Sequence, residues 1–445
     1  MRLGGELRGT LSLALPLCIT HLGQQLMGLV DASMLGHYSR EALGGGGIAN
    51  GILFTVTVFG IGAVMGLDTL VPQALGAGES RRARSLFDSG IRLCVVLGVP
   101  LTAVAGVSML LLDVMRVEPD VAYEARIYIL GRLPAIVPML VFAAQRSYLQ
   151  AQHITRPLVI AIVAGNLINV VADYVLIFGD AGLVDLGLPA VGIPATGVVG
   201  ASIATTIVSL VSMAVGGLAI KKLDQPRARP DQIRPIVKLG LPVALHLVAE
   251  VGIFSLTAML AGNLGKIPAA AHQVAITLAS FSFSLAIGVG AATSVRVGRA
   301  IGRQDSAATR MAGVSGMLLG ACLMGTSAIV FLAIPHQLAR LFSSEPDVIA
   351  ASVPLLRIAA VFQLSDAIQA VAAGALRGAG DTRTTFLVNL AGHYGISLPI
   401  SLGLAFGLGM GAPGLWWGLS IGLTAVAMVL TVRFFWLARN PIARS

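Results

Sequence analysis

The chain has 445 residues, 56% of them hydrophobic and only 11% charged, with a formal net charge of +9 and a mean hydropathy of +0.86. A soluble globular domain carries about a quarter charged residues, so this composition excludes one and places the chain in a bilayer. Hydrocarbon cannot hydrogen-bond a bare backbone, so apolar runs of about 20 residues read as helices rather than as the shorter, alternating strands of a barrel.

Apolar windows predict twelve transmembrane helices, starting near residues 11, 44, 88, 123, 156, 195, 236, 269, 309, 349, 384 and 412. The first window has the arginine flank of a signal peptide, but it outruns an h-region and lacks a small-residue cleavage site, so it reads as a retained span. Pro16 falls in its expected first turn, as Pro242 does in the seventh helix, where proline is tolerated. The glycines of the second helix, Gly44 to Gly47 with Gly62 and Gly66, suit close helix packing.

Charge then orients the chain. The two tails and alternate loops hold 22 Lys or Arg, against five in the opposite loops; by the positive-inside rule both termini are cytoplasmic and the protein is a multi-pass protein of the cell membrane, the inner membrane in a bacterium. Arg92, Arg132 and Arg357 fall inside or at the edges of spans. No basic, aromatic-interleaved face appears, so the positive charge reports topology and not a nucleic-acid partner.

The basic segment 221–238 divides the chain into an N-terminal six-helix lobe at 1–220 and a C-terminal six-helix lobe at 239–445, with the segment itself as a cytoplasmic linker. The halves align at offsets of 226 to 227, which set Pro242 against Pro16 and Arg383 against Arg156. Beyond the fifth helix the offset drops to 214, so the first half carries about thirteen extra residues near 180–195. The expected fold is all-α: two homologous six-helix bundles related by a pseudo-two-fold axis, with a cleft between them and alternating access by rocking.

A charged side chain in mid-bilayer costs at least about 2.5 kcal/mol, so each intramembrane acid is a functional candidate. Asp31, Asp173, Glu250 and Asp366 stand out. His246 lies one turn before Glu250 on the same face; the bland alternative is a neutral acid bonded to that histidine, holding the bundle together. Gln363, Asp366 and Gln369 form one polar stripe, and Asn166, Asn169 and Asp173 another. Asn169 and Asp173, an amide oxygen and a carboxylate one turn apart, could share a sodium ion or orient a proton. Asp68 reads as structural, and His272 with Gln273 as an interfacial helix start. Cys18, Cys94 and Cys322 are isolated and indicate neither disulfide nor zinc site. HExxH, G-x-S-x-G and Walker A sequences are absent, so the chain is not read as an enzyme. The G-x-G-x-x-G match at 409–414 lies between membrane helices instead of after a strand.

The segments "LVDASMLGHYS", "AAAHQVAITLASFSFSLAIGVGAATSVRVGRAIG", "AEVGIF" and "FQLSDAIQAVAAGALRGAGDTR" resemble the multidrug and toxic compound extrusion (MATE) family, in its NorM-like branch. The resemblance covers nearly the whole chain. It implies secondary active efflux of small cationic or amphiphilic drugs in exchange for Na+ or H+, with no cofactor beyond the coupling ion, by a monomer in the lipid bilayer. The family's cation-coupling carboxylates of helices 7 and 10 fall on Glu250 and Asp366. Those of its other coupling site fall on Asp31, Asn169 and Asp173, so a sodium site could lie in either set. His246, Gln363, Gln369, Asn166 and Phe362 are the expected lining residues. Phe362 departs from the tyrosine common at its position and brings no hydroxyl to a cation. A lipid-linked precursor flippase of related architecture is the alternative, but it calls for a more basic cavity than these spans supply. A membrane enzyme or scaffold would need a catalytic constellation or a soluble domain, and neither is visible.

Overall fold

The structure is a computed structural model that describes residues 3–185, 187, 189–223 and 233–444. Half of the expected linker at 221–238, residues 224–232, lies outside the described residues. Among the described residues there is no strand, and 12 helices are long and apolar enough to cross a membrane. They are α1 (Gly4–Tyr38), α2 (Arg40–Gly76), α3 (Ser80–Val114), α4 (Pro119–Ala151), α5 (Arg156–Phe178), α6 (Val198–Lys221), α7 (Arg234–Asn263), α8 (Lys266–Gly302), α9 (Ser306–Ala333), α10 (Pro346–Gly378), α11 (Thr382–Gly407) and α12 (Ala412–Leu437).

Most helices begin a few residues ahead of their apolar windows, because helix starts are built from polar caps. Before α2, Ser39 Oγ accepts the Ala42 N–H at 2.9 Å, and before α9 Asp305 Oδ1 accepts the Ala308 N–H at 2.8 Å. The same shift corrects the prolines: Pro16 and Pro242 lie inside α1 and α7, well past the first turn. Each therefore removes one backbone donor from the helix interior. Within α11, Ala391–Ser397 and Gly403–Gly407 are π-helical, a local widening of the turn that often marks functional positions.

Two compact units are present. The larger comprises Met1–His21, Asp68–Ala83 and Lys238–Ser445. Its apolar core gathers around Trp416 with Ile253, Leu355, Leu356, Phe362 and Leu419. The Phe362 and Trp416 rings stand edge to face at 5.7 Å, and Trp416 Nε1 donates to His272 Nδ1 at 3.2 Å. His272 is thus buried six residues into α8, not an interfacial helix start. A Cβ on Gly374 would overlap the backbone of Gly290, and one on Gly378 that of Ser294; only glycine lets α10 lie this close on α8. Early segments of the chain join this unit through buried polar contacts. Thr10 and Ser315 share a hydroxyl bond at 3.0 Å, and Glu6 pairs with Arg296. Gln73 Nε2 donates to Gly378 O at 3.1 Å, and Asp68 lies 3.9 Å from Arg377.

The smaller unit comprises Leu22–Leu67 and Arg84–Val237. Tyr148, fully buried, packs its ring on Phe87 at 4.7 Å, and Thr206 Oγ1 of α6 donates to Gly131 O of α4 at 3.0 Å. The stretch marked as extra in the first half forms a short helix, Asp180–Asp185, and a loop. Asp180 closes that loop by accepting the N–H groups of Val191, Gly192 and Ile193, each at 3.0 Å. These donors, Ile193 first, hold its carboxyl below the ordinary carboxylate range.

Candidate functional site: two buried acid clusters

In the smaller unit, helical spacing stacks Asn169 over Asp173 on α5, and both are 0% exposed. Asn169 Nδ2 donates to Asp173 Oδ2 at 2.9 Å. Asp31 of α1, 8% exposed, is an electrostatic neighbour of Asp173, and Thr205 Oγ1 of α6 lies 3.4 Å from Asp31 Oδ2. Two carboxyl groups this close repel unless a proton or cation lies between them. Asp31 Oδ1, Asn169 Oδ1 and Asp173 Oδ1 are all buried without a hydrogen-bond partner, an unusual concentration of unmet acceptors. Asn166 stands apart: its amide donates to backbone at Gly23 O, 3.1 Å, and Ile162 O, 2.8 Å, tying α1 to α5.

Sequence reasoning did not connect α4 to this cluster. Arg132 Nη1 donates to Tyr128 OH at 3.0 Å, the guanidinium acts on Asp173, and both aspartates act on the Tyr128 phenol. The signal was available, because an arginine within a span is as costly as an acid there.

In the larger unit, His246 Nε2 lies 3.3 Å from Glu250 Oε2, the contact their one-turn spacing on α7 predicts. Asp366 of α10, buried, is an electrostatic neighbour of Glu250. So is His393, which sits in the first π-helical stretch of α11 and was not singled out from sequence. Both His393 ring nitrogens are buried without a partner. The polar stripe of α10 is divided: Gln363 Nε2 donates to Ser282 Oγ at 3.1 Å, and Gln369 Nε2 to Asn389 Oδ1 at 2.8 Å. Each glutamine keeps a buried, unpartnered Oε1. Phe362 faces Trp416 and Phe254 in the apolar core. Tyr394 of α11 donates its hydroxyl to the α7 backbone at Ala249 O, 2.9 Å. A small cavity of about 20 Å³ between α7, α10 and α11 is lined by His246, Leu247, Arg377, Thr382 and Thr385.

Among the described residues no three His, Cys, Asp or Glu side chains are grouped to hold a metal ion. An alkali cation at either cluster would draw on amide and hydroxyl oxygens beside the carboxylates, which hard cations accept.

A family model described as MatE matches residues 16–175 and 242–402. The two matches start 226 residues apart and end 227 apart, the offsets at which the halves of the sequence align. The multidrug resistance protein NorM of Photobacterium profundum is 32% identical, covering 97% of this chain and 96% of the relative. That of Burkholderia vietnamiensis is 32% identical, covering 98% and 95%. Among solved structures, the eukaryotic MATE transporter AtDTX14 superposes with a TM-score of 0.87 at 23% identity, covering 98% of each chain. An outward-facing multidrug resistance MATE family transporter gives 0.87 at 18% identity, covering 98% and 96%; these two likenesses concern the fold.

Proposed function

Because the chain belongs to the MatE family, we propose that it is a secondary active multidrug efflux transporter, exporting cationic or amphiphilic compounds in exchange for Na+ or H+ by alternating access. The observation that carries this reading is that each unit sets a pair of acids inside membrane-crossing helices: Asp31 with Asp173, both buried, and Glu250, whose side chain is 12% exposed, with the buried Asp366. Among the described residues, neither pair is in a salt bridge with lysine or arginine. Buried charge without a partner is costly, so these carboxyl groups are arranged for a cation that comes and goes.

The chemistry is competition for charge. A cationic compound is held while the carboxylates are ionised, and a proton or sodium ion entering from the far side neutralises them and favours release. Asn169 and Thr205 orient the carboxylates of the first pair, and His246 orients Glu250 in the second. One elementary charge crossing 100 mV supplies about 2.3 kcal/mol, enough to bias such an exchange. Both termini lie on the cytoplasmic side, and the protein works as a monomer with no resident cofactor.

Efflux of a fluorescent cation from reconstituted vesicles, with sodium and pH gradients imposed separately, tests the reading. Coupled efflux is expected for the native chain and reduced for Asp31→Asn, Asp173→Asn, Glu250→Gln and Asp366→Asn. Undiminished coupled transport in all four variants would sink it.

A further inference from the structure

We propose that the end of α2, residues 68–76, is a latch that grips α8 and α10 in this conformation and releases them in the opposite state of the transport cycle, turning at Met65–Gly66. The inference rests on the alternating-access reading above. A shift of 226 residues lays Asp68, Pro72 and Gly76 over Ser294, Gly298 and Gly302, and in the larger unit each of the three touches its own mate. Ser294 Oγ donates to Asp68 O at 3.4 Å. A Cβ on Gly298 would come within 2.9 Å of the Pro72 side chain, and one on Gly302 would overlap Gly76. Contacts one turn away are exchanged: a Cβ on Gly76 would overlap Arg299 O, and one on Gly302 would overlap Gln73 O. Arg299 is the mate of Gln73 at the same shift. Mate-to-mate and exchanged contacts are what a two-fold axis produces, so the axis relating the two repeats passes between these stretches of α2 and α8.

The symmetry fails where a moving part needs it to. Helix α2 is interrupted at Met65–Gly66, between Arg40–Val64 and Leu67–Gly76, whereas α8 runs unbroken from Lys266 to Gly302. The boundary of the compact units falls at the same place, between Leu67 and Asp68. A short irregular stretch that divides one helix between two units is where a hinge absorbs its change in backbone angles. The grip itself is reversible. Thr69 Oγ1 donates to Arg377 O at 2.5 Å and Gln73 Nε2 to Gly378 O at 3.1 Å, both in the last turn of α10, and Asp68 stands 3.9 Å from Arg377. Water replaces such bonds at small net cost once the helix ends part, which is not true of the apolar contacts around Trp416. The stretch precedes Arg81, Arg82 and Arg84, and its mate precedes Arg303, so on the charge reading the latch lies at the cytoplasmic ends of both helices.

Spin labels at Arg81→Cys and Ala307→Cys, exposed mates just beyond the contact, test it, with the exposed Cys322 replaced by serine. Distances between the labels are measured in reconstituted vesicles, at rest and during ethidium efflux driven by an imposed pH or sodium gradient. One short distance is expected at rest, and a second, longer one during efflux. Gln73→Leu removes a bond without adding bulk and should raise the longer population about fivefold. Gly302→Ala, which drives a methyl group into Gln73 O, should raise it further; if that variant fails to elute as folded protein, Gln73→Leu decides alone. A second pair, Gly51→Cys with Arg81→Cys, lies on either side of the interruption and should change its distance under the same conditions. A contact that only packs the fold would keep one distance at rest and during efflux, with Gln73→Leu like the native chain; that outcome overturns the proposal. A second distance between α2 and α8 with none within the Gly51–Arg81 pair overturns the turning point at Met65–Gly66. Absence of gradient-driven efflux from the unlabelled native chain would remove the transport reading, and the latch with it.

Discussion

The two acid clusters use different means to keep negative charge inside a membrane. In the smaller unit Asp31 and Asp173 are electrostatic neighbours, with an amide and a hydroxyl around them. In the larger unit Glu250 has imidazoles for neighbours and stands near an aromatic core. The first arrangement surrounds its carboxyl groups with an amide and a hydroxyl; the second sets a carboxyl group against an imidazole. Duplicated halves therefore did not produce duplicated sites: the common ancestry shows in helix order and packing, while the ionisable chemistry diverged.

The largest effect expected from breaking this comparison is on the larger unit's foundation. Trp416→Ala removes a fully buried indole that packs Phe362 and bonds His272, and should destabilise that unit by about 3–5 kcal/mol, read as a lower thermal midpoint in detergent. A midpoint within error of the native one would mean that the second cluster does not stand on that core.

Next comes the coupling itself. Asp173→Asn removes a carboxyl group that the exchange must load and release, so it should reduce gradient-driven efflux by at least about tenfold. Running Glu250→Gln beside it sharpens the contrast: the variant with the greater loss marks the cluster that carries more of the coupling.

A smaller effect separates the role of His246 from mere bulk. His246→Leu leaves Glu250 without its donor, a penalty of about 1–3 kcal/mol, whereas His246→Gln keeps an amide that can donate. The expected order of efflux rates at saturating probe is native, then Gln, then Leu; equal loss in both variants would show that the 3.3 Å contact is not what matters.

The smallest effect lies outside both clusters. The Asp180 carboxyl is held below its ordinary range by the backbone donors of the 191–193 loop. A depressed native value gives stability that is complete above the unfolded value, about 3.9, and is lost as pH falls through the native one. Hydrogen exchange at Val191, Gly192 and Ile193 should therefore be slow at neutral pH and accelerate only in strong acid, and Asp180→Ala should be fast throughout. Efflux by Asp180→Ala is expected to match the native rate, which makes it the control for the other three.

Residue by residue, the sequence showed more of the acids than of their company. Glu250 with His246, and Asn169 with Asp173, were legible because a helix places residues four apart on one face. Asn166 shared that spacing, yet its amide serves the α1–α5 contact, since periodicity gives the face and not the partner. Phe362 lacks the hydroxyl expected at its position. The Tyr394 hydroxyl of α11 bonds the α7 backbone at Ala249 O, a contact between helices that no single-helix pattern reveals.

Length, apolar runs and charge placement were enough to determine an all-α membrane chain of twelve spans with an internal repeat, because a bilayer accepts few architectures and each span satisfies its own backbone. The tertiary structure alone decided that Thr205 of α6 meets Asp31, and that Arg132 with Tyr128 are electrostatic neighbours of Asp173 and His393 of Glu250. Those neighbours come from different helices, brought together by close packing such as Gly131 of α4 on Ser202 of α6 and Gly252 of α7 on Tyr394 of α11. Such contacts depend on shapes distributed over the whole chain, so no local stretch of sequence records them.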